Sequence, residues 1–266
     1  MASFSRQVPD WRAVLAAFLL FLPLPAWPAT TEEIFSAYAK GDYDQAERAG
    51  EASHTAPGLA IAARAVLADA VLRDTPCLSC LERAESLARQ AIAADPHHAF
   101  GQVWLAVALG YQARIIGIVK ARMDNSPAQS KAALETAVSD DPKNAFVVSA
   151  LGGWHIEVVR GGGAFLGGLV YGAKEQQALA LFDRAVQLAP GNVAVHYQIA
   201  LSLAGFNPSK YHVRIASEFK AALVATPQTA YEKKIQGRAQ ELLGYMNRGA
   251  DDAFHARVRT FQGFPE

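Results

Sequence analysis

The fold is decided by residues 178–191, which read ALALFDRAVQLAPG. Apolar side chains recur in this stretch at intervals of three and four residues, at Ala178, Phe182, Ala185 and Val186. That spacing places one apolar stripe on a single face of an α-helix. Because proline cannot continue the helical hydrogen-bond pattern, the helix is expected to end before Pro190.

The same apolar pattern precedes several other prolines of the chain. These breaks lie 37 to 48 residues apart, at Pro57, Pro96, Pro142, Pro190 and Pro227. Alternating β-branched runs typical of strands are nearly absent between them. A sequence period of roughly 35 to 50 residues is typical of stacked helical hairpins. The pattern therefore predicts an all-α fold in which each proline ends a helix.

Several of these segments resemble the tetratricopeptide repeat family. Residues 41–46, GDYDQA, are similar to the junction between the two helices of that family's hairpin, and Leu151-Gly152 is similar to the Leu-Gly pair of its first helix. The stripe before each proline matches its second helix. The resemblance covers roughly residues 31–227 and implies a right-handed α-solenoid of about five hairpins, several of them longer than the usual repeat.

A narrower resemblance lies in residues 151–158 and 178–191. These segments resemble the tetratricopeptide-like domain of the regulator-of-microtubule-dynamics proteins and, more weakly, the periplasmic T-component of TRAP transporters. The first resemblance implies the shape of the hairpins. The second implies a channel for a small apolar ligand.

The N-terminal segment has the features of a signal peptide. Residues 13–22 form an unbroken apolar run, and small residues at Ala26 and Ala29 offer cleavage sites. The run is shorter than the ~20 residues that span a bilayer. We therefore predict a signal peptide at 1–29, a periplasmic or secreted mature chain, and no membrane span after cleavage. An uncleaved anchor is the alternative.

The repeat pattern sets the domain bounds. We expect a repeat domain over 30–247 and a tail over 248–266 with one short helix.

The net charge of the chain excludes one class of partner. The chain has 266 residues, with 25 basic and 25 acidic side chains, and its formal net charge is +0. Binding to nucleic acid or to an anionic membrane surface needs a clustered positive excess. This composition therefore predicts no nucleic-acid partner.

Cys77 and Cys80 form a C-x-x-C pair. Haem attachment would need histidine next, where the chain has Leu81, and a zinc site would need a second pair of ligands. A thioredoxin-like redox centre would need a βαβ setting. An oxidising compartment favours a local disulfide. We accordingly predict no metal and no cofactor, with a thiol–disulfide enzyme as the alternative.

Residues 161–172 contain six of the chain's 20 glycines. Neither a preceding strand nor a Gly-Lys-Ser/Thr ending supports a phosphate-binding loop. We predict a lengthened connection between two helices, with Phe165, Leu166 and Tyr171 packing over the solenoid. A lid or a partner-docking loop is the alternative.

No catalytic motif stands out, so the chain is predicted not to be an enzyme. The first helices of stacked hairpins form a concave wall that is free to bind a partner. The register set by Leu151-Gly152 places these residues on the wall: Phe146, Ser149, Gly153, Ile156, Glu157, Tyr197 and Leu201. We predict an exported scaffold or adaptor for a protein partner. The alternative is a periplasmic accessory protein that binds a small apolar ligand for a transporter.

Overall fold

The structure, a computed structural model, describes residues 29–265, except for the side chains of residues 163–166. Apart from its last residue, Ala29, the predicted signal peptide lies outside the described residues. Every element of the described chain is an α-helix. The prediction of an all-α fold is therefore confirmed.

The helices follow one another with short connections. In chain order they are α1 Thr31–Lys40, α2 Tyr43–Ala52, α3 Ala56–Leu72, α4 Leu78–Ala94, α5 Ala99–Ile116, α6 Ile118–Met123, α7 Ser126–Asp140, α8 Ala145–Tyr171, α9 Glu175–Leu188, α10 Val193–Phe206, α11 His212–Val224, α12 Ala230–Arg248 and α13 Asp251–Phe261. Each pairs with a neighbour as an antiparallel hairpin, and α6 is a short addition to the third pair.

Prolines and caps set the helix boundaries. Helices α4, α7, α9 and α11 each end two or three residues before a proline, as predicted. Pro57 differs, because it lies in the first turn of α3, where its missing N–H costs no hydrogen bond. Capping boxes begin α1 at Thr30 and α12 at Thr229. In each, the threonine side chain accepts from the backbone amide of a glutamate three residues on, and the side chain of that glutamate accepts from the backbone amide of the threonine.

Alternate helices form an inner row. Helix α1 contacts α3, and the contacts continue through α5, α8 and α10 to α12. Helix α12 then contacts α1, so the inner row of the solenoid closes into a ring. Arg238 of α12 fastens this closure by donating to the carbonyl oxygens of Val71 and Leu72, at 2.9 and 2.7 Å.

The predicted C-terminal tail is part of the domain. Helix α13 lies within residues 248–266, and its Phe254, Val258 and Phe261 are buried in the core formed by α8 to α12. Beyond this helix, Gly263 adopts φ +77°, and a methyl group there would lie 2.8 Å from the ring of Tyr111. The last residues are therefore held against α5.

The glycine-rich segment differs from its prediction as a loop. Residues 161–171 are helical and belong to α8, and only Gly172 adopts a left-handed conformation. A methyl group at Gly167 would lie 3.0 Å from the carbonyl oxygen of Val158, although nine residues of straight helix span about 13 Å. Helix α8 is therefore bent, and the glycines permit this close approach of the backbone.

Candidate functional site

A cavity of about 180 Å³ lies inside the ring. Residues from α1, α3, α5, α7, α8, α10 and α12 line it, together with Gln262 after α13. Its wall is largely apolar, and the larger contributing side chains are Leu67, Trp104, Leu134, Phe146 and Trp154. A concave, mostly apolar cavity with a few polar groups is the usual form of a small-molecule site.

Most of the predicted wall residues line this cavity. They are Phe146, Ser149, Gly153, Glu157 and Leu201. Four of these five residues lie on α8, and Leu201 lies on α10.

Ile156 and Tyr197 lie elsewhere, and their placement on an accessible wall is corrected. Both are fully buried in the core between α8, α10 and the C-terminal helices. The ring of Tyr197 contacts Phe219 of α11, with 6.3 Å between ring centroids. The repeat register cannot show this burial, because it depends on helices from the end of the chain.

A charged cluster lies at one side of the cavity. The carboxylate of Glu157 is 2.6 Å from the guanidinium of Arg160 and 3.3 Å from that of Arg114. Burial alone would raise the pKa of Glu157, but the two arginines together lower it below its usual value. Arg114 also donates to the carbonyl oxygen of Gln262 at 2.6 Å. The cluster therefore carries one surplus positive charge and holds the C-terminal residues in place.

Arg64 is a second cationic group in the cavity wall. Three aromatic rings surround its guanidinium, those of Tyr38 at 4.3 Å, Trp104 at 5.5 Å and Phe35 at 5.8 Å. Among the described residues, no carboxylate forms an ion pair with it. Sequence reasoning missed Arg64, although it is the one basic residue of the alanine-rich helix α3.

The end of α8 and the neighbouring α6 expose apolar side chains. We call Val119, Met123, Leu169 and Val170 the apolar tip, and each is between 62% and 81% exposed. Of the predicted loop residues, Tyr171 is partly buried and packs against the core. The side chains of Phe165 and Leu166 lie outside the described residues.

Cys77 and Cys80 are joined by a disulfide at the start of α4. The sulfur of Cys77 also accepts from the amide of Cys80 at 3.1 Å and caps the helix. No group of three or more histidine, cysteine or acidic side chains that could hold a metal ion is found in residues 29–265. The same part of the chain has no helix that is both long and apolar enough to cross a bilayer.

Two histidines of the helices, His155 and His196, are packing residues. His155 is buried, and its Nδ1 accepts from the amide of Lys174 at 3.3 Å. Burial lowers the pKa of His155. His196 is also buried, with its Nδ1 2.6 Å from Glu218 and its Nε2 2.8 Å from the carbonyl oxygen of Pro190. The bond to Glu218 raises the pKa of His196.

Comparison with known proteins agrees with this helical architecture. The model of the family described as Regulator of microtubule dynamics protein 1-3 matches residues 59–247, more than half of the chain and nearly the whole of the ring from α3 to α12. No curated protein matches the chain significantly. The chain therefore belongs to the regulator-of-microtubule-dynamics family.

Proposed function

We propose that this chain is an exported, non-catalytic adaptor that binds a protein partner through the apolar tip. The observation that carries the proposal is the exposure of four large apolar side chains on α6 and on the end of α8. Contiguous exposed apolar surface marks interaction sites in proteins that are otherwise well packed. Membership of a family with a helical, interaction-type fold agrees with this role.

Helix α6 contacts α8 at the start of its glycine-rich end. A methyl group at Gly161 would lie 2.9 Å from the side chain of Ile118, and one at Gly162 would lie 3.1 Å from Arg122 and 3.4 Å from the amide of Gly167. Helix α6 therefore lies against α8 at residues 161–162, and the apolar tip consists of the exposed side chains on these two neighbouring helices.

The tip is a better docking surface than the concave wall predicted from the repeats. Ser149 and Leu201 of that wall are buried, and Phe146, Gly153 and Glu157 are only partly exposed. A protein partner approaching from outside meets the ends of the helices instead. A small ligand is then a better occupant than a protein for the cavity-lining residues of that wall, which are Phe146, Ser149, Gly153, Glu157 and Leu201.

Paired valine substitutions test the adaptor role. Val119→Ser with Val170→Ser should reduce partner recovery in crosslinking mass spectrometry from the native host by about thirtyfold, because each change removes apolar contact that contributes roughly 1 kcal/mol of binding free energy. Val213→Ser with Val224→Ser is the matched control, because these valines are 82% and 86% exposed on α11. Equal recovery by the two double variants would refute docking at the tip.

N-terminal sequencing of the protein from its native host tests export. The proposal predicts a mature chain that begins after Ala26 or Ala29. A mature chain that retains Arg6 and Arg12 would refute cleavage of the predicted signal peptide.

A second candidate function is binding of a small ligand for a neighbouring transporter. The apolar cavity favours it, since an adaptor alone has no need of such a space. The two functions use different surfaces and can be tested separately.

A further inference from the structure

We infer that the central cavity binds a small organic carboxylate with an apolar body, and that its carboxylate pairs with Arg64. This inference rests on the second candidate function and specifies the chemistry of its ligand. It does not depend on the adaptor role of the apolar tip.

The charge of the cavity wall favours an anion. The charged side chains that line it are Arg64, Arg114 and Glu157. Glu157 is already shared between Arg114 and Arg160, so it cannot also neutralise Arg64. Glu232 of α12 is buried, but its carboxylate accepts from the amides of Gln228 and Thr229. Binding of a cation would therefore be opposed, and an anion would compensate the charge of Arg64, which no carboxylate pairs within the described part of the chain.

The surroundings of Arg64 orient it for this role. A guanidinium that lies over aromatic rings uses its faces for the contact and keeps the N–H groups of its edge available. The rings of Tyr38 and Trp104 provide such contacts from α1 and α5. Arginine binds carboxylates through paired N–H donors on that edge, and such charge-assisted bonds are among the strong ones. The side chain is thus fixed in place. Its guanidinium also bonds to the hydroxyl of Tyr38, and its other N–H groups can donate to a ligand.

The space next to Arg64 suits an apolar body. Trp104 stacks on Phe100 on one side, and its ring centroid is 5.3 Å from that of Phe146 on the other. Leu67 and Leu134 continue the wall of the cavity. A neutral apolar molecule would fill the same space but would leave Arg64 without a counter-charge. The two features together specify an amphipathic anion.

Isothermal titration calorimetry with octanoate and octanol tests the inference. The two probes share an apolar chain and differ in the charged group. We expect octanoate to bind the purified mature protein about tenfold more tightly than octanol, as the measure of one charge-assisted pair. Arg64→Gln should abolish this preference, while Arg64→Lys, which keeps the charge, should retain part of it.

Arg73→Gln is the matched control for these variants. Arg73 follows the same helix, is paired with Asp69 on the surface, and does not line the cavity. The Arg73→Gln variant should bind octanoate with the same affinity as the wild type. Thermal unfolding followed by circular dichroism establishes that each variant folds. If Arg64→Gln does not fold, the test rests on the ratio of the octanoate and octanol affinities, compared between the wild type and Arg64→Lys.

The remaining outcomes separate the inference from the function on which it rests. Octanol binding as tightly as octanoate would overturn the role of Arg64 but would support an apolar-ligand site. An unchanged preference in Arg64→Gln would likewise overturn it. Absence of binding by both probes would overturn the inference and the ligand-binding function together.

Discussion

Gly152 shows how one residue sets the spacing between two helices. It lies on α8, and a methyl group there would come within 2.7 Å of the ring of Phe182 on α9. Phe182 is fully buried, so its ring has no room to move aside. The glycine of the Leu151-Gly152 pair is thus explained by the close packing of the Phe182 ring against the α8 backbone, where a side chain would not fit.

Substitution of Gly152 by alanine should therefore destabilise the protein. Overpacking a core position typically costs about 1 to 3 kcal/mol of unfolding free energy. Gly237→Ala is the control, because Gly237 lies in α12 with open space around it, and there the change should stabilise by roughly 0.5 to 1 kcal/mol. Urea denaturation measures both values. A stabilising Gly152→Ala would contradict the packing described for α8 and α9.

The buried pair of His196 and Glu218 should make stability depend on pH. Both nitrogens of the imidazole face acceptors, which favours the protonated ring and raises the pKa of His196 through the bond to Glu218. A histidine with a raised pKa in the folded state stabilises the protein fully below its unfolded value of about 6.5. That stabilisation is lost as the pH rises through the folded-state pKa.

We expect the unfolding free energy of the wild type to fall as the pH rises above about 6.5 for this reason. His196→Gln should have a flatter profile over the same range, because glutamine does not titrate. His155, whose pKa is lowered by burial, exerts its effect at lower pH and does not interfere. Parallel profiles for the wild type and the variant would show that the pair does not control this dependence.

At the scale of the element, α13 illustrates why a terminal helix can belong to a domain. Its Phe254 is 4% exposed and lies in the core with α10 and α12. Gln262, directly after the helix, donates to the carbonyl oxygen of Leu201 at 3.1 Å. These contacts cover the inner side of α10, which an ordinary solenoid would leave open.

Phe254→Ala should therefore cost about 3 to 5 kcal/mol of unfolding free energy, the usual range for a buried phenylalanine. Phe35→Ala on α1 is the comparison, because Phe35 is 40% exposed and its loss should cost much less. Chemical denaturation of both variants provides the test. Similar costs would mean that residues 248–266 form a loose tail, as the domain boundary at 247 would suggest.

The helices and their pairing were predictable because both depend on local signals. The apolar stripe around Phe182 and the proline after it determine where α9 lies and ends, and the repeat period then pairs it with α8. The glycine-rich end of α8 was not predictable in the same way. Glycine has low helix propensity, but tertiary packing between Gly167 and Val158 overrides it.

The cavity could be predicted only in part, because Tyr231 and Gln262 in its lining come from the far end of the chain. Phe146 and Glu157 follow from the register of the repeat. The hydrogen bonds from Arg238 to the end of α3 join residues more than 160 positions apart, and no local pattern indicates them. Arg64 then becomes an inward-facing residue only because the ring closes around it.

At the scale of the whole molecule, closure of the inner row distinguishes this protein from an open solenoid. Tyr231 of α12 lies where the ends meet, since it lines the cavity and packs against the cluster that contains Tyr38 of α1. In an open solenoid the first and last helices contact only their own neighbours. A change at α12 would then have no effect on α1.

Hydrogen–deuterium exchange in Tyr231→Ala tests this closure most directly. The account predicts faster exchange in residues 31–40, although they lie about 190 positions away in sequence. Tyr245→Ala, a change of the same kind farther along α12, should leave those amides as they are in the wild type. Unchanged exchange of residues 31–40 in Tyr231→Ala would contradict the closed ring.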